Sequence, residues 1–348
     1  MTKKMLLAAF VCCMGLCTVQ QANANSWRVN SDKRANANFL DLNAAMSTVA
    51  EGDTIYVDKG CVIATEQTIN KSVTIIGPGY FIGENDADEA FFSNVIIISA
   101  DNVKLTGLHT ANIYIRANSV IIERCRVTGN ITATEDYEAD EASIRSCFIC
   151  KGFISGLGAN GSDKWEILNN IIVNLETACD NISNLQNALI DHNFLWNSSN
   201  DYFSDINGVT SSTISNNIIY RTNFWYASNY AIQNLDITNN NIITHNVLNS
   251  PTIVHEKHPN NLVVDYDVAE IVAATTQNIR DTYYQLKDVE ALNYDQNGQA
   301  CGPFTGAYPY VISGYPLYVP RIESITIPSQ PDASGNLKVH MVIKNQNK

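Results

Sequence analysis

Ile167-Leu168-Asn169-Asn170-Ile171-Ile172 is followed by Ile190-Asp191-His192-Asn193-Phe194-Leu195 and then by Ile214-Ser215-Asn216-Asn217-Ile218-Ile219. Each stretch reads aliphatic-x-x-Asn-x-aliphatic. A further match is Ile237-x-x-Asn240-x-Ile242, and two earlier ones carry Cys at the Asn place, Ile122-x-x-Cys125-x-Val127 and Ile144-x-x-Cys147-x-Ile149. From Ile122 onward the matches start 22, 23, 23, 24 and 23 residues apart. A fixed period of that size means stacked supersecondary units, each burying its apolar face on its neighbours.

Outward from the repeat, the pattern stays β. Short runs rich in Val and Ile, at Val73–Ile76, Val95–Ile98, Val103–Leu105, Ile113–Ile115 and Val120–Ile122, are separated by Gly, Asn, Asp and Ser. They stand too close together for helical crossovers. The spacing therefore predicts a coil of parallel strands, about 40 Å long if some nine turns stack over 53–262. Before it, Phe39, Leu42, Met46 and Val49 mark one face of a short helix, with Asn38 as its expected N-cap and Gly52 as its terminator. After residue 263 the repeat fades into a Tyr-, Gly- and Pro-rich stretch over 281–320. Two strands around the turn at 331–335 are then predicted from the alternation at Ile322, Ile325 and Ile327 and at Leu337, Val339, Met341 and Ile343.

In such a coil the Asn column (Asn170, Asn193, Asn217, Asn240, with Cys125 and Cys147 above it) has a structural role. An inward amide at one turn of every coil bonds backbone groups that the strand ladders leave over. The other reading is a row of ligand-binding amides.

Lys3 and Lys4, the apolar run Met5 to Cys17 and Ala22-Asn23-Ala24 form a signal-peptide pattern over 1–24. The expectation is an exported chain, secreted, periplasmic or at the cell surface, with no transmembrane segment. The expected organisation is an N-terminal extension and capping helix over 25–52, the coil over 53–300, and a closing segment with a small β appendage over 301–348. The chain carries a formal charge of −13, and removing the two signal lysines leaves 20 basic against 35 acidic residues. That balance argues against phosphate-driven nucleic-acid binding and mildly disfavours long-range capture of a polyanion, although a local basic groove overrides a net figure. Six cysteines lie beyond the signal, at 61, 125, 147, 150, 179 and 301. Cys125 and Cys147 stack on successive units, where small buried hydrophobes fit better than a disulfide. No metal-ligand spacing stands out. The acidic stretches 84–89 and 132–141 suit the oxygen ligands calcium takes, but they lack a complete loop motif, so no cofactor is expected.

The repeat, the stretch Asn43-Ala44-Ala45-Met46 to Glu51-Gly52-Asp53-Thr54-Ile55-Tyr56-Val57 and the signal pattern together resemble secreted right-handed parallel β-helix proteins of the pectin-lyase-like superfamily. The stretch Cys301-Gly302-Pro303-Phe304-Thr305-Gly306 with Pro309 to Gly314 resembles the closing segment of an uncharacterised bacterial subgroup. The resemblance implies an all-β, single-domain solenoid with an N-terminal helical cap. It implies no activity, because that superfamily holds lyases, hydrolases, adhesins and binders. The Asn-Thr-Asp, Asp-Asp and Gly-His-Gly motifs of polygalacturonases are absent, as is an Arg-x-x-Arg element beside an aspartate cluster. Hence no catalytic residue carries over, and whether the chain is an enzyme stays open.

Candidate chemistry comes from the residues themselves. Arg116, Arg124, Arg126, Arg145 and Lys151 on the early coils could form a basic patch, as lysis of a uronate chain requires. Glu123, Asp191 and Asp205 are carboxylates for hydrolysis, which needs two at a set separation, and Asp191-His192 reads as an incidental neighbour pair. The register also exposes an outward apolar stripe: Phe148 and Cys150, Ile171 and Val173, Phe194 and Trp196, Ile218 and Tyr220, then Asn241 and Ile243. It calls for a cover, from residues 152–164 or the C-terminal Tyr/Pro segment, or for a ligand. The rings of Trp196, Tyr202, Phe203, Tyr220, Phe224, Trp225 and Tyr226 make that end the expected binding surface. The leading expectation is non-catalytic binding of a carbohydrate or a cell-surface partner; the alternative is a polysaccharide lyase or glycoside hydrolase with an atypical site.

Overall fold

The computed structural model describes residues 24–82, 88–134, 137, 139–157, 162–174, 179–197, 204–221, 232–233, 242–244, 247–248, 262–263, 301–314, 321–328, 330 and 334–344. Within them the chain is all-β and mostly parallel. It visits three ladders in turn. The first is a ten-stranded parallel sheet from Ser26–Val29 through Thr54–Val57, Thr74–Ile76, Lys104–Thr106, Ile121–Glu123, Ser143–Arg145, Glu166–Leu168, Leu189–Asp191 and Thr213–Ser215 to Ile242–Thr244. The second passes through Arg126–Val127, Phe148–Cys150, Ile171–Asn174, Phe194–Asn197, Ile218–Arg221 and Val247–Leu248. The third contains Ile131–Ala133, Ile154–Ser155, Ile182–Gln186 and Ile206–Thr210. Phe91–Ile98 and His109–Ile115 are long enough to serve both the second and third ladders. That sharing links their pairings into one circuit without closing the sheet as a barrel. Among the described residues, no helix is long and apolar enough to cross a membrane.

The repeat residues sit as their period demands. Ile122, Ile144, Ile167, Ile190 and Ile214 stand in register on the first ladder and are fully buried. Two columns of left-handed residues flank that ladder: Asn102, Ser119, Glu141, Lys164, Asn187 and Ser211 before it, Arg124, Ser146, Asn169, His192 and Asn216 after it. A positive φ is costly for most L-residues and cheapest for Asn, which takes Asn102, Asn187, Asn169 and Asn216 among these positions. Four turns of the second column, at Arg124, Ser146, Asn169 and His192, also bond to the next coil, as in Ser146 N–H to Leu168 O (3.0 Å) and Asn169 N–H to Asp191 O (3.1 Å).

One residue further on comes the inward amide column. Asn170 Nδ2 donates to Ile144 O at 2.8 Å, Asn193 Nδ2 to Ile167 O at 2.8 Å and Asn217 Nδ2 to Ile190 O at 2.9 Å. Each Oδ1 accepts the backbone N–H of the coil above: Cys147 on Asn170, Asn170 on Asn193, and Asn193 on Asn217. The side chains bond one another at 3.0 and 2.9 Å. Cys125 and Cys147 cap the column as buried free thiols. Burial, with Cys147 beside it, pushes the Cys125 thiol well above its ordinary value.

The register corrects one member of the expected column. Ile214 pairs with Ile243, and Ile219 with Leu248. The copy in register is therefore Ile243-x-x-Asn246-x-Leu248, six residues after the match at Ile237. Asn240 and Asn241 lie outside the described residues, and Ile243 is a strand residue of the first ladder, not of the second. Two identical letter patterns overlap in this stretch, and strand pairing selects the second.

The helix is shorter than its periodicity implies, running Leu42–Met46, and its N-cap is Asp41, whose Oδ1 accepts Ala44 N–H at 2.7 Å. Asn38 instead accepts Arg28 N–H, tying the N-terminal strand to its entry loop. Residues 152–157 are not a loop over the apolar stripe, since Ile154–Ser155 is a strand of the third ladder. The two C-terminal strands, Arg321–Thr326 and His340–Lys344, form a separate antiparallel pair.

Candidate functional site

The outward stripe of the second ladder is buried over its described residues, apart from a half-buried Cys150. Phe148, Ile171, Phe194 and Ile218 are almost wholly inaccessible, and Trp196 and Tyr220 keep 7% and 6% exposure, their rings meeting edge-on at 5.7 Å. Phe81 packs edge-on against Phe148 at 5.7 Å. The expected aromatic surface therefore fails for Trp196 and Tyr220, whose faces are spent on packing. Tyr202, Phe203, Phe224, Trp225 and Tyr226 lie outside the described residues.

Residues 301–314 form a strap over the second left-handed column, running against coil order. Gly302 N–H donates to Asn216 O, Asn169 Nδ2 donates to Pro303 O and Thr305 O, Ser146 Oγ donates to Tyr308 O, and Tyr80 N–H donates to Ser313 O. Tyr80 and Tyr310 join through their hydroxyls. Gly306 lies so close to His192 that a Cβ there would stand 2.8 Å from the imidazole, and its φ of +85° is one glycine adopts freely.

Beside the strap, the outer face of the first ladder gathers charge. Thr106, Glu123 and Arg145 are consecutive partners in register, and Lys104 lies two residues before Thr106. Lys104 Nζ reaches Glu123 Oε1 at 2.8 Å, Arg145 donates through Nε and Nη2 to Oε2 at 3.0 and 2.9 Å, and Arg124 Nη1 is 3.5 Å from Oε1. The Arg145 guanidinium also lies 4.4 Å from the ring centre of Tyr308, which the strap delivers and leaves 40% exposed. Thr106 Oγ1 is buried next to Glu123 without a hydrogen-bond partner. Lys104, Arg124 and Arg145 thus surround the one carboxylate of Glu123.

Burial pushes the Glu123 carboxyl up, but the hydrogen bond and charge of Lys104, the charge of Arg124 and the bond from Arg145 outweigh it and hold the group below its ordinary value. Asp191 is likewise lowered: the bond and charge of His192 and the bonds from Ser215 and Asn216 overcome its burial. Both stay ionised at neutral pH, the wrong state for a general acid. Ser215 Oγ donates to Asp191 Oδ1 at 2.7 Å, and His192 Nδ1 meets Oδ2 at 2.6 Å. Ser215 therefore spends its proton on the aspartate instead of passing it to the histidine, which a nucleophilic serine would require.

The remaining candidates separate. Arg126 joins a different group, with both its Glu89 contacts at 3.2 Å, His109 Nδ1 2.5 Å from Glu89, and Phe81 under the guanidinium at 4.3 Å. Arg116 faces Tyr137 and donates to Thr134. Lys151 is a left-handed residue at a turn of the second ladder. Asp205 accepts from Asn181 at a corner of the third ladder, where Asp180 bonds Ser204 and Asn207. Of the two acidic stretches, Asp88 pairs with Lys59, Asp140 accepts Asp163 N–H, and Glu141 pairs with Lys164. Among the described residues no group of His, Cys, Asp and Glu side chains could hold a metal ion.

Sequence reasoning missed Lys104, Thr106 and Tyr308. The first two sit on a short coil, in which Leu105 and its register partner Ile122 are only 122 − 105 = 17 residues apart, outside the regular period. Tyr308 reaches the site only through the strap. No protein-family model matches the chain, and no curated protein matches it either.

Proposed function

We propose that this chain is an exported right-handed parallel β-helix protein, similar to the pectin-lyase-like group, that binds an acidic saccharide or a cell-surface partner bearing one, without cleaving it. Consecutive parallel strands joined through a crossover are right-handed in nearly all proteins, which supports the handedness. The observation that carries the function is the Lys104–Glu123–Arg145 group with the half-open Tyr308 ring beside it. Guanidinium and ammonium groups recognise carboxylate or sulfate oxygens, and an aromatic face takes the apolar side of a sugar ring. The chain is acidic overall, but its distant charges are screened beyond a Debye length, so Lys104 and Arg145 do the selecting at short range. Two lowered carboxylates support binding over hydrolysis, since neither offers a proton to a leaving group.

The test is retention of the mature protein on immobilised carboxylated, sulfated and neutral polysaccharides, with parallel assays for new reducing and unsaturated ends. Retention on acidic members with no new ends is expected. Retention on neutral glycans alone contradicts the acidic preference, and new ends on any member establish the lyase or hydrolase alternative.

A further inference from the structure

The signal-peptide pattern ends in Ala22-Asn23-Ala24, and the residue after it is tied to a buried carboxylate. Asn25 N–H donates to Asp53 Oδ1 at 2.7 Å. Asp53 is only 1% exposed, and its Oδ2 accepts Trp27 Nε1 at 2.7 Å and Ala50 N–H at 2.9 Å. One side chain thus joins the N-terminal strand, the turn after the helix and the start of the strand Thr54–Val57. Both partners are held by the first ladder, since Asn25 O accepts Thr54 N–H at 2.9 Å and Asp53 O accepts Thr74 N–H at 3.0 Å. Burial pushes the Asp53 carboxyl up, but the N–H groups of Asn25, Trp27 and Ala50 and the charge of Lys71 overcome it and hold the group below its ordinary value. The three donors are uncharged. Of the nearby cations, Lys71 is bonded to Val49 O and Arg28 is paired with Asp58.

We propose that removal of the signal segment completes this contact: cleavage between Ala24 and Asn25 turns the Asn25 amide into an α-ammonium group paired with Asp53, so the processed chain is more stable than its precursor. The inference rests on the export reading and is independent of the saccharide site. An export peptidase hydrolyses the Ala24–Asn25 bond with one water. The leader keeps the Ala24 carboxylate, and the new amine on Asn25 takes up a proton. Ala24 and Asn25 are both exposed, so the bond is open to attack. One ammonium proton takes the place of the amide proton on Asp53 Oδ1, and the other two face water. The amine therefore gains its partner at little desolvation cost. A charged donor at this distance bonds a carboxylate roughly twice as strongly as a neutral one. Asp53 then fixes the N-terminal strand to the coil by an ion pair that the precursor cannot form.

Two chains test this, each released from a cleavable fusion: one begins at Asn25, and the other keeps Ala22-Asn23-Ala24, which moves the amine three residues away. Near neutral pH the chain beginning at Asn25 is expected to have an unfolding equilibrium constant roughly five- to tenfold lower. An α-amino group titrates near pH 8 in an unfolded chain, and a carboxylate beside it raises that value in the folded one. The gain is therefore fully present below about pH 8 and is lost as pH rises through the raised value. Asp53→Asn should abolish the difference between the two chains, and if that variant fails to fold, the pH series decides alone. Equal stability of the two chains overturns the inference, as does a gain that persists unchanged to about pH 11. N-terminal sequencing of the exported protein separates this inference from the reading beneath it, and a start at Asn25 is expected. An intact leader overturns the export reading and this inference with it, whereas processing at any other residue overturns this inference alone.

Discussion

The first and second ladders are built by the same repeat and present opposite outer faces. On the second, the outward positions Phe148, Ile171, Phe194 and Ile218 are apolar and closed. On the first, the outward positions Lys104, Glu123, Arg145 and Glu166 are charged, and Tyr308 stays open beside them. The strap lies on the corner between the two faces. A solenoid has identical backbone demands on every side, so its sides differ only in the side chains the period leaves over. Here one side is given to packing, and the proposed function assigns the other to recognition.

Substitutions should separate the two faces, beginning with the largest effect. Phe194→Ala on the closed face is expected to cost about 3–5 kcal/mol in urea unfolding, because the ring is wholly buried. Leu189→Ala, on the first ladder's partly exposed face, is expected to cost about 1 kcal/mol or less by the same assay. Equal costs would mean that both faces are core.

Asn193→Leu keeps the volume but strands Ile167 O and Asn170 N–H, both now bonded to the Asn193 side chain. It is expected to destabilise by about 3 kcal/mol, from unmet buried polar groups. A neutral result would mean that shape alone holds this column.

Gly306→Ala places a Cβ against the His192 ring at a φ of +85°. It is expected to cost about 1–3 kcal/mol and to raise proteolysis selectively within 301–314. Unselective proteolysis would mean that the strap is an integral layer of the coil.

The smallest effect is on pH dependence. Glu123 and Asp191 have lowered values in the folded chain, so their contribution is present above the ordinary carboxylate range and is lost as pH falls through the lowered values. Urea midpoints should therefore decline below about pH 4, and Glu123→Gln should flatten part of that decline. A midpoint unchanged down to about pH 3, below the ordinary carboxylate range, would contradict the lowered values.

The fold was legible because its rule is local. Ile167, Asn170 and Ile172 announce the same turn in every copy, and a parallel stack needs nothing else to be in register. The error at Asn240 has the same origin. The letters at 237–242 and 243–248 both satisfy the rule, and only the pairing of Ile214 with Ile243 distinguishes them. The apolar stripe was also legible, by alternation, but its burial was not, since burial depends on what lies over Phe194 and Trp196. The site was largely illegible. Arg124 and Arg145 stood among five candidate cations, and nothing in their spacing separated them from Arg116 or Arg126. Lys104 joins them across a coil shorter than the period, and Tyr308 is brought in by a strap bonded to Ser146 and Asn169.

The claim that the open face recognises acidic saccharide is tested most directly by binding isotherms of the wild type, Lys104→Ala and Arg145→Ala on one soluble acidic polysaccharide across a salt series. Each substitution is expected to weaken binding roughly tenfold, with affinity falling as salt rises and no new chain ends formed. Binding unchanged by both substitutions, or insensitive to salt, would contradict it.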